Sequence, residues 1–437
     1  MKDGLARKTL HTFATLLFGQ GASIAAGIAT AHAFGPIGKG VIAFAGVLLT
    51  FSVTAADGLK SAIAYQIGTE RRAPRAVWRV ALRSMAVIGP LGTAIFLALY
   101  LRTPQQLAYL FVALAFPFSM YVQAIGIVYI LKERVERINV KNALTIGGGY
   151  SLLTFALVLF FHVPVWAVMS VWVGGYVAAA IWSTFGLRAL LGGEPGEGDV
   201  RGLGRRQLAF AAKSALSANV TFLALRIDVF IVSAMLAPAA LGLYTLAIAT
   251  GEVMWQISRS VIWSSSGRVA MLEFGESAEL VARIVRSLVA VQLVMGIALF
   301  VAGPWLVANV YGARFAESGT VLRLLLPGLI LYSADGMLSY FIGVRAGPPT
   351  LLLGLESVTL AVCGITTFLA VPHFGIAGAA VADTVAYVLS FAIKVAFFST
   401  IASVPVGRIL VPRRSDVPAF VALRLRRFFP ASATVDR

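Results

Sequence analysis

Apolar stretches of about 20 residues recur along this chain, and they limit its fold more than any other feature. Of its 437 residues, 59% are hydrophobic and only 13% are charged, which excludes a soluble domain of this length. A helix of about 20 residues crosses the hydrocarbon core of a bilayer with all its backbone hydrogen bonds satisfied. The expected fold class is therefore an all-α polytopic membrane protein.

Twelve transmembrane helices are predicted, in two six-helix lobes. A Gly-rich, charged segment near the middle of the chain predicts a linker between the lobes. The expected domains are an N-terminal lobe (1–191), a cytoplasmic linker (192–206), a C-terminal lobe (207–403) and a basic cytoplasmic tail (404–437). The predicted helices cover residues 10–33, 38–67, 76–101, 105–131, 143–161, 164–191, 207–236, 239–270, 280–311, 317–345, 349–371 and 376–403.

Basic residues are distributed unequally between the two sides of this topology. Of the 36 Lys and Arg residues, 27 fall on the side of the termini, five fall within helices, and four fall on the opposite side: Lys39, Arg102, Arg314 and Arg323. The positive-inside rule then places both termini in the cytoplasm. The net charge of +17 is mostly a topology signal, so no nucleic-acid partner is expected.

The sequence gives little support for a catalytic domain or for redox chemistry. No loop is large enough to hold a soluble catalytic domain, so we do not expect an enzyme. Cys363 is the single cysteine, which excludes a disulfide within the chain and suggests no metal cluster. The basic and aromatic stretch 422–429 fits either a helix on the anionic inner leaflet or a disordered tail.

A short internal repeat links the two halves. Pro36-x-x-x-Gly40 follows the first predicted helix, and Pro238-x-x-x-Gly242 follows the seventh, 202 residues later. Each predicts a tight extracytoplasmic turn, where proline fixes one dihedral angle and glycine permits close passage. Because six helices separate equivalent positions, the halves are expected to be parallel repeats with a binding region between them.

Several longer segments occur in an ordered series. The series begins with Ala33-Phe-Gly-Pro-Ile-Gly-Lys-Gly40 and continues with Arg226-Ile-Asp228-Val-Phe, Leu241-Gly-Leu-Tyr244-Thr-Leu-Ala, Val310-Tyr-Gly-Ala-Arg-Phe315, Leu326-Pro-Gly328 and Phe374-Gly-Ile-Ala-Gly-Ala-Ala380. In this order and spacing, the chain resembles the polysaccharide-biosynthesis (Wzx-type) oligosaccharide-lipid flippases. That family belongs to the multidrug/oligosaccharidyl-lipid/polysaccharide exporter superfamily, and the resemblance extends to residue 403.

The resemblance implies a function and partners. It implies alternating access around a central cavity lined by the first, second, seventh and eighth helices. It also implies a substrate with an undecaprenyl pyrophosphate and a short glycan, and a location in a bacterial cell (inner) membrane. Expected partners are this lipid-linked oligosaccharide, membrane lipids, and a polysaccharide polymerase with glycosyltransferases, and the chain itself is expected to be a monomer.

Charged residues within the predicted helices are the candidate site, because a charge in hydrocarbon costs about 2.5–3.5 kcal/mol and usually serves a function. Arg226 lies about 15 Å from the outer end of its helix and could replace the lost hydration of a pyrophosphate. A structural ion pair between Arg226 and Glu252 is the alternative. The predicted substrate-binding residues are Arg226, Lys60, Arg259, Glu252, Asp57 and Gln20.

A second, acidic group consists of Asp228, Asp383 and Glu356. Carboxylates inside a membrane can bind a coupling cation or exchange a proton, and hydrogen bonds between helices are the structural alternative. Beyond a coupling Na+ or H+, no cofactor is expected. Asp335 and Lys394 lie at one predicted depth and could form a structural pair.

The expected function is therefore a flippase for a lipid-linked oligosaccharide. Arg226 and Asp228 are two residues apart, so they lie on different faces of the helix. We expect Arg226 to face the central cavity and Asp228 to face the second lobe. The rival functions are a cation-coupled multidrug antiporter of the same fold and a membrane glycosyltransferase or polymerase.

Overall fold

The structure, a computed structural model, describes residues 2–103, 106–145, 148–191, 203–347 and 349–411. Within these ranges every regular element is helical, which confirms the predicted all-α polytopic fold class. The helices are α1 (Lys2–Gly68), α2 (Pro74–Arg102), α3 (Leu107–Leu131), α4 (Val135–Thr145), α5 (Gly148–Phe161), α6 (Val165–Leu191), α7 (Leu203–Met235), α8 (Pro238–Glu252), α9 (Trp255–Met271), α10 (Phe274–Val310), α11 (Ala316–Phe341), α12 (Pro349–Ala402) and α13 (Val406–Leu410). A 3-10 turn (Ala313–Phe315) precedes α11, and a π-helical segment (Ile342–Ala346) follows it.

Nine helical segments in the described ranges are long and apolar enough to cross a membrane. Two of them, Phe18–Gly68 and Thr350–Ala402, contain 51 and 53 residues. A single crossing needs about 20 residues, so each of these two segments is long enough to cross twice. The predicted separation of helices 10–33 and 38–67, and of 349–371 and 376–403, agrees with the positions of Gly35 and Gly375, where the backbone leaves helical geometry and each segment divides into two arms.

The reversal in α1 occurs at Gly35, whose φ is 61° and ψ is −166°. Lys39 Nζ lies 3.1 Å from the carbonyl oxygen of Gly27, although 12 residues separate the two. Twelve residues of straight helix would span about 18 Å, so the two arms must fold back on each other. The left-handed φ explains why a glycine occupies this position.

Gly375 has the same role in α12, with φ 57° and ψ −139°. A Cβ atom built on Gly378 would lie 2.6 Å from the carbonyl oxygen of Ala370. In a straight helix these residues would be about 12 Å apart. Both reversals therefore use one glycine in place of a loop.

One predicted helix, 239–270, is interrupted. The chain forms a turn at Val253 and Met254, between α8 and α9, in which Met254 keeps helical dihedral angles (φ −59°, ψ −35°) and its N–H donates to the carbonyl oxygen of Gly251 (3.1 Å). The fully buried Gln292 of α10 donates from Nε2 to the carbonyl oxygen of Met254 (2.9 Å) and to Ser258 Oγ (2.8 Å). A broken helix is tolerated at membrane depth when a neighbouring side chain satisfies the freed backbone group in this way.

The chain forms two compact units. The first contains Met1–Leu246, Trp305–Gly319 and Gly364–Ala379, and the second contains Ala247–Pro304, Thr320–Cys363 and Ala380–Arg437. The first unit includes α7, which the sequence assigns to the C-terminal lobe, because α7 packs along the second arm of α1. Most of the predicted linker (192–202) and of the predicted tail (412–437) lies outside the described residues.

Candidate functional site

The second arm of α1 and the helix α7 form a close seam in the first unit. A Cβ atom on Gly58 would overlap the carbonyl oxygen of Ala211, so the two backbones touch there. Further along the seam, Gln207 Nε2 donates to Gln66 Oε1 (3.0 Å). This contact fixes the rotation of both helices, and it therefore sets the direction of the charged side chains that they carry.

The repeated turns pack against each other within the same unit. A Cβ atom on Gly40 would overlap the carbonyl oxygen of Pro238, and one on Gly242 would overlap the carbonyl oxygen of Pro36. The contact is reciprocal, as expected where two equivalent turns cross. The repeat that the sequence shows along the chain is therefore also present in space.

Arg226 and Asp228 differ in burial, as their spacing on α7 predicts. Asp228 is fully buried, and one of its carboxylate oxygens accepts a hydrogen bond from Tyr244 Oη of α8 at 2.6 Å. Arg226 is half-buried, and its Nη1 makes a long 3.4 Å contact with the carbonyl oxygen of Leu225. Within the first unit, Asp228 thus has a bond to α8, and Arg226 is the more exposed residue of the two.

Asp57 and Lys60 form an ion pair one turn apart on α1. Their side chains are 37% and 34% exposed, so a ligand could still reach both groups. Gln20, on the first arm of α1, is exposed. Of the residues predicted to bind substrate, the structure therefore brings Asp57 and Lys60 together as a neutral pair.

The remaining predicted substrate residues belong to the second unit. Glu252 is half-buried at the end of α8, and Arg259 is exposed on α9. Asp383, predicted for the coupling site, is buried on α12 and accepts a 3.3 Å contact from Cys363 Sγ.

Glu356, the third predicted coupling residue, is part of a buried cluster in the second unit. Lys394 Nζ donates to Asp335 Oδ2 (2.6 Å) and to Glu356 Oε1 (2.7 Å), and these side chains are at most 4% exposed. Asp335 also accepts contacts from Ser339 (3.2 Å) and Ser390 (3.4 Å). Glu356 Oε2 is buried without a hydrogen-bond partner among the described residues. The cluster holds two carboxylates against one ammonium.

Sequence reasoning missed two lysines of the first unit. Lys39 was assigned to an outer turn, but its side chain points into the helical bundle and donates to Gly27 and Thr30. Lys141 was assigned to a cytoplasmic loop, but α4 extends over it and leaves it 6% exposed. The signal available for Lys39 was its position after a reversal glycine, which brings a second helix arm within reach of its side chain.

The described part of the chain contains no candidate metal site. There, no group of three or more His, Cys, Asp or Glu side chains lies close enough to hold one metal ion.

Comparison with known proteins identifies the fold. No family model and no curated protein sequence matches the chain. An inward-facing multidrug resistance MATE family transporter of the MOP superfamily matches with a TM-score of 0.64 and 17% identity, over 88% of this chain and 95% of that one. Lipid II flippase MurJ, in an inward closed conformation, matches with a TM-score of 0.67 and 12% identity, over 90% of each chain.

A further match has the same architecture. A mutant of the Vibrio cholerae MATE transporter VcmN gives a TM-score of 0.50 and 13% identity, over 87% of this chain and 97% of that one. Identities this low establish the fold alone. The chain is a multi-pass membrane protein that shares its fold with these MATE transporters and with lipid II flippase MurJ.

Proposed function

We propose that this protein is a flippase that moves an undecaprenyl-pyrophosphate-linked oligosaccharide from the cytoplasmic to the outer leaflet of a bacterial inner membrane, for surface polysaccharide biosynthesis. The anionic head group crosses along basic side chains while the lipid tail stays in the bilayer. Alternating access provides the movement, and no covalent bond is made or broken. Both termini lie in the cytoplasm in this proposal.

The observation that carries this proposal is the surplus of positive charge inside the first unit. At least five residues from a segment end, its described membrane segments carry the basic residues Lys39, Lys60, Arg79, Arg83, Lys141, Lys213 and Arg226 and the acidic residues Asp57 and Asp228. Each carboxylate already has a partner, Lys60 for Asp57 and Tyr244 for Asp228.

The two lysines that the sequence analysis missed increase this surplus. Among the described residues, neither Lys39 nor Lys141 forms an ion pair, and Lys141 lies within electrostatic range of Lys60. Uncompensated ammonium groups in a low-dielectric region repel an organic cation and stabilise a phosphate. This charge balance favours an anionic cargo for the first unit.

Reconstituted transport tests the proposal. Vesicles containing the protein and a fluorescent lipid-linked oligosaccharide should expose the glycan to an external glycosidase. Arg226→Ala should slow this exposure by about tenfold or more, because a charge-assisted contact with the pyrophosphate is lost, and Arg226→Lys should recover part of the rate.

Arg102→Ala is the matched control, since Arg102 is an exposed arginine at the end of α2 in the same unit. It should transport at the wild-type rate. Wild-type transport by correctly folded Arg226→Ala would contradict the proposal for Arg226. Absence of flipping by the wild-type protein would contradict the proposed cargo.

A cation-coupled multidrug antiporter is the second candidate, and the charge of the second unit favours it. Asp335 and Glu356 share one lysine, so the buried cluster carries a surplus carboxylate that a proton or Na+ could neutralise. The same vesicles distinguish the two functions. Ethidium uptake driven by a Na+ or H+ gradient, lost in Glu356→Gln, would support the antiporter, and flipping without ethidium transport would exclude it.

A further inference from the structure

A cavity in the first unit lies beside Lys39, away from Arg226 and from the ion pair of Asp57 and Lys60. Its volume is about 270 Å³, and its walls come from both arms of α1 and from α4, α5 and α6. Ser23, Thr30, Ser151 and Thr154 contribute hydroxyl groups to the walls, and Tyr150 and Trp172 contribute aromatic rings. None of the lining residues is acidic.

Lys39 is held in this cavity by neutral oxygens only. Its Nζ donates to the carbonyl oxygen of Gly27 (3.1 Å) and to Thr30 Oγ1 (3.3 Å). Thr30 directs its own proton to the carbonyl oxygen of Ala26 at 2.8 Å, which leaves a lone pair for the lysine. An ammonium group has three donors, so one remains for a ligand, and its charge has no counter-ion among the described residues.

Without a ligand, the inward direction of the Lys39 side chain costs free energy, because the ammonium group is removed from water. Gly27 lies eight residues before the reversal at Gly35, and Lys39 lies four residues after it. Because the Lys39 ammonium reaches the Gly27 carbonyl, it lies about one helical turn deeper than the Lys39 backbone. Lysines near helix ends normally extend toward water instead. A bound anion would offset the cost of this inward orientation.

Hydroxyl groups on α5 and on the first arm of α1 complete the polar lining. Thr154 is 2% exposed, lines the same cavity, and its hydroxyl is a hydrogen-bonding neighbour of the Tyr150 hydroxyl. The hydroxyls of Ser23 and Ser151 are 3.0 Å apart and can turn toward a ligand.

We infer that this cavity binds a phosphorylated polyol, with the phosphate at Lys39 and the ligand hydroxyls at the Ser and Thr side chains. Lysine is a common phosphate ligand, and its compact charge suits a phosphate oxygen. A second cavity of about 140 Å³, walled by Ala45 and Met169, shares Ile42, Tyr150 and Trp172 with the first and would take an apolar part of the ligand. The inference does not depend on which cargo the protein transports.

Binding to the purified full-length protein in phosphatidylcholine nanodiscs tests this inference. We expect glucose 1-phosphate and glycerol 1-phosphate to bind and glucose to show no binding, as measured by calorimetry. Lys39→Gln should weaken phosphate binding by about tenfold or more, and Lys39→Arg should retain most of it. Lys213→Gln, at an exposed lysine of α7, should bind as the wild type does.

A spectroscopic signal locates the ligand. Binding should change tryptophan emission in the wild-type protein, and Trp172→Phe should remove that change while leaving the other six tryptophans in place. Thermal unfolding without ligand shows whether each variant is folded. Equal binding by folded Lys39→Gln, or no binding of either phosphate ester by the wild type, would overturn the inference.

The same experiment distinguishes the two sources of such a phosphate. In nanodiscs that contain phosphatidylglycerol, competition against glucose 1-phosphate would identify a lipid head group as the occupant. Unchanged affinity for glucose 1-phosphate in those nanodiscs would identify a soluble sugar phosphate. Either result supports a phosphate site at Lys39.

Discussion

Gly40 and Gly242 lie against each other's turns, and each one has the other turn's proline carbonyl in the space that a Cβ atom would fill. The atoms in that space belong to the backbone, which cannot rotate away as a side chain can. This contact determines how closely the start of the second arm of α1 can approach the start of α8.

We predict that Gly40→Ala and Gly242→Ala each lower the melting temperature. Alanine normally stabilises a helix relative to glycine by about 1 kcal/mol, but here the added methyl group overlaps a carbonyl oxygen. Gly21→Ala is the matched control, since no atom lies within 4 Å of its Cβ position, and it should be neutral or stabilising. Equal melting temperatures for Gly40→Ala and Gly21→Ala would contradict the prediction.

Removing different charges from the buried cluster around Lys394 should lower the stability of the protein by different amounts. Lys394→Met leaves Asp335 and Glu356 together without a cation, which we expect to cost about 3–5 kcal/mol. Glu356→Gln leaves a one-to-one ion pair and should cost much less. Thermal unfolding of the two variants in one detergent measures the difference, and a smaller loss for Lys394→Met than for Glu356→Gln would refute the charge count.

The Tyr244 hydrogen bond to Asp228 should be stronger than one between neutral groups. Tyr244→Phe removes a donor from a buried carboxylate, and the expected cost is about 1.5–3 kcal/mol. Tyr121→Phe removes a neutral 2.8 Å contact with Thr184 and should cost about 0.5–1.5 kcal/mol. Comparing the two in thermal unfolding tests the prediction, which fails if Tyr121→Phe is the more damaging change.

Gln292 should be needed for the interruption between α8 and α9. Gln292→Leu leaves the carbonyl oxygen of Met254 with only the 3.3 Å hydrogen bond from the Ile257 N–H, and we expect a loss of about 0.5–1.5 kcal/mol. Gln256→Leu, at an exposed glutamine two residues past the interruption, should change stability little. Hydrogen exchange at α9 provides a local measurement, and unchanged exchange in Gln292→Leu would count against this role.

Sequence reasoning succeeded where the pattern depends on length and spacing. Apolar runs predicted the helices, because a bilayer demands them. The repeated Pro-x-x-x-Gly pointed to close passage, and the structure shows contact at Gly40 and Gly242. Depth along the helix also brought Asp335 and Lys394 to one level, where the structure pairs them.

The depth of a residue along its helix does not give the rotation of that helix about its axis. This explains why the structure differs from the site predicted from the sequence. Glu356 was grouped with Asp228 and Asp383 on its residue type, but its helix turns it toward Lys394. Lys39 was assigned to a turn from the position of its backbone, whereas its side chain follows the opposite arm of the hairpin. A single sequence does not contain the azimuth of each helix, since that depends on packing between distant segments.

The glycine reversals also affect how the chain enters the membrane during synthesis. A helix that folds back at one residue offers no polar loop to remain behind in water, so we expect both arms of α1 to insert together as a hairpin. Lys39 would then enter the bilayer beside the Gly27 carbonyl that accepts its hydrogen bond. Insertion of α1 as a pair would thereby lower the barrier that a lone lysine faces at the translocon.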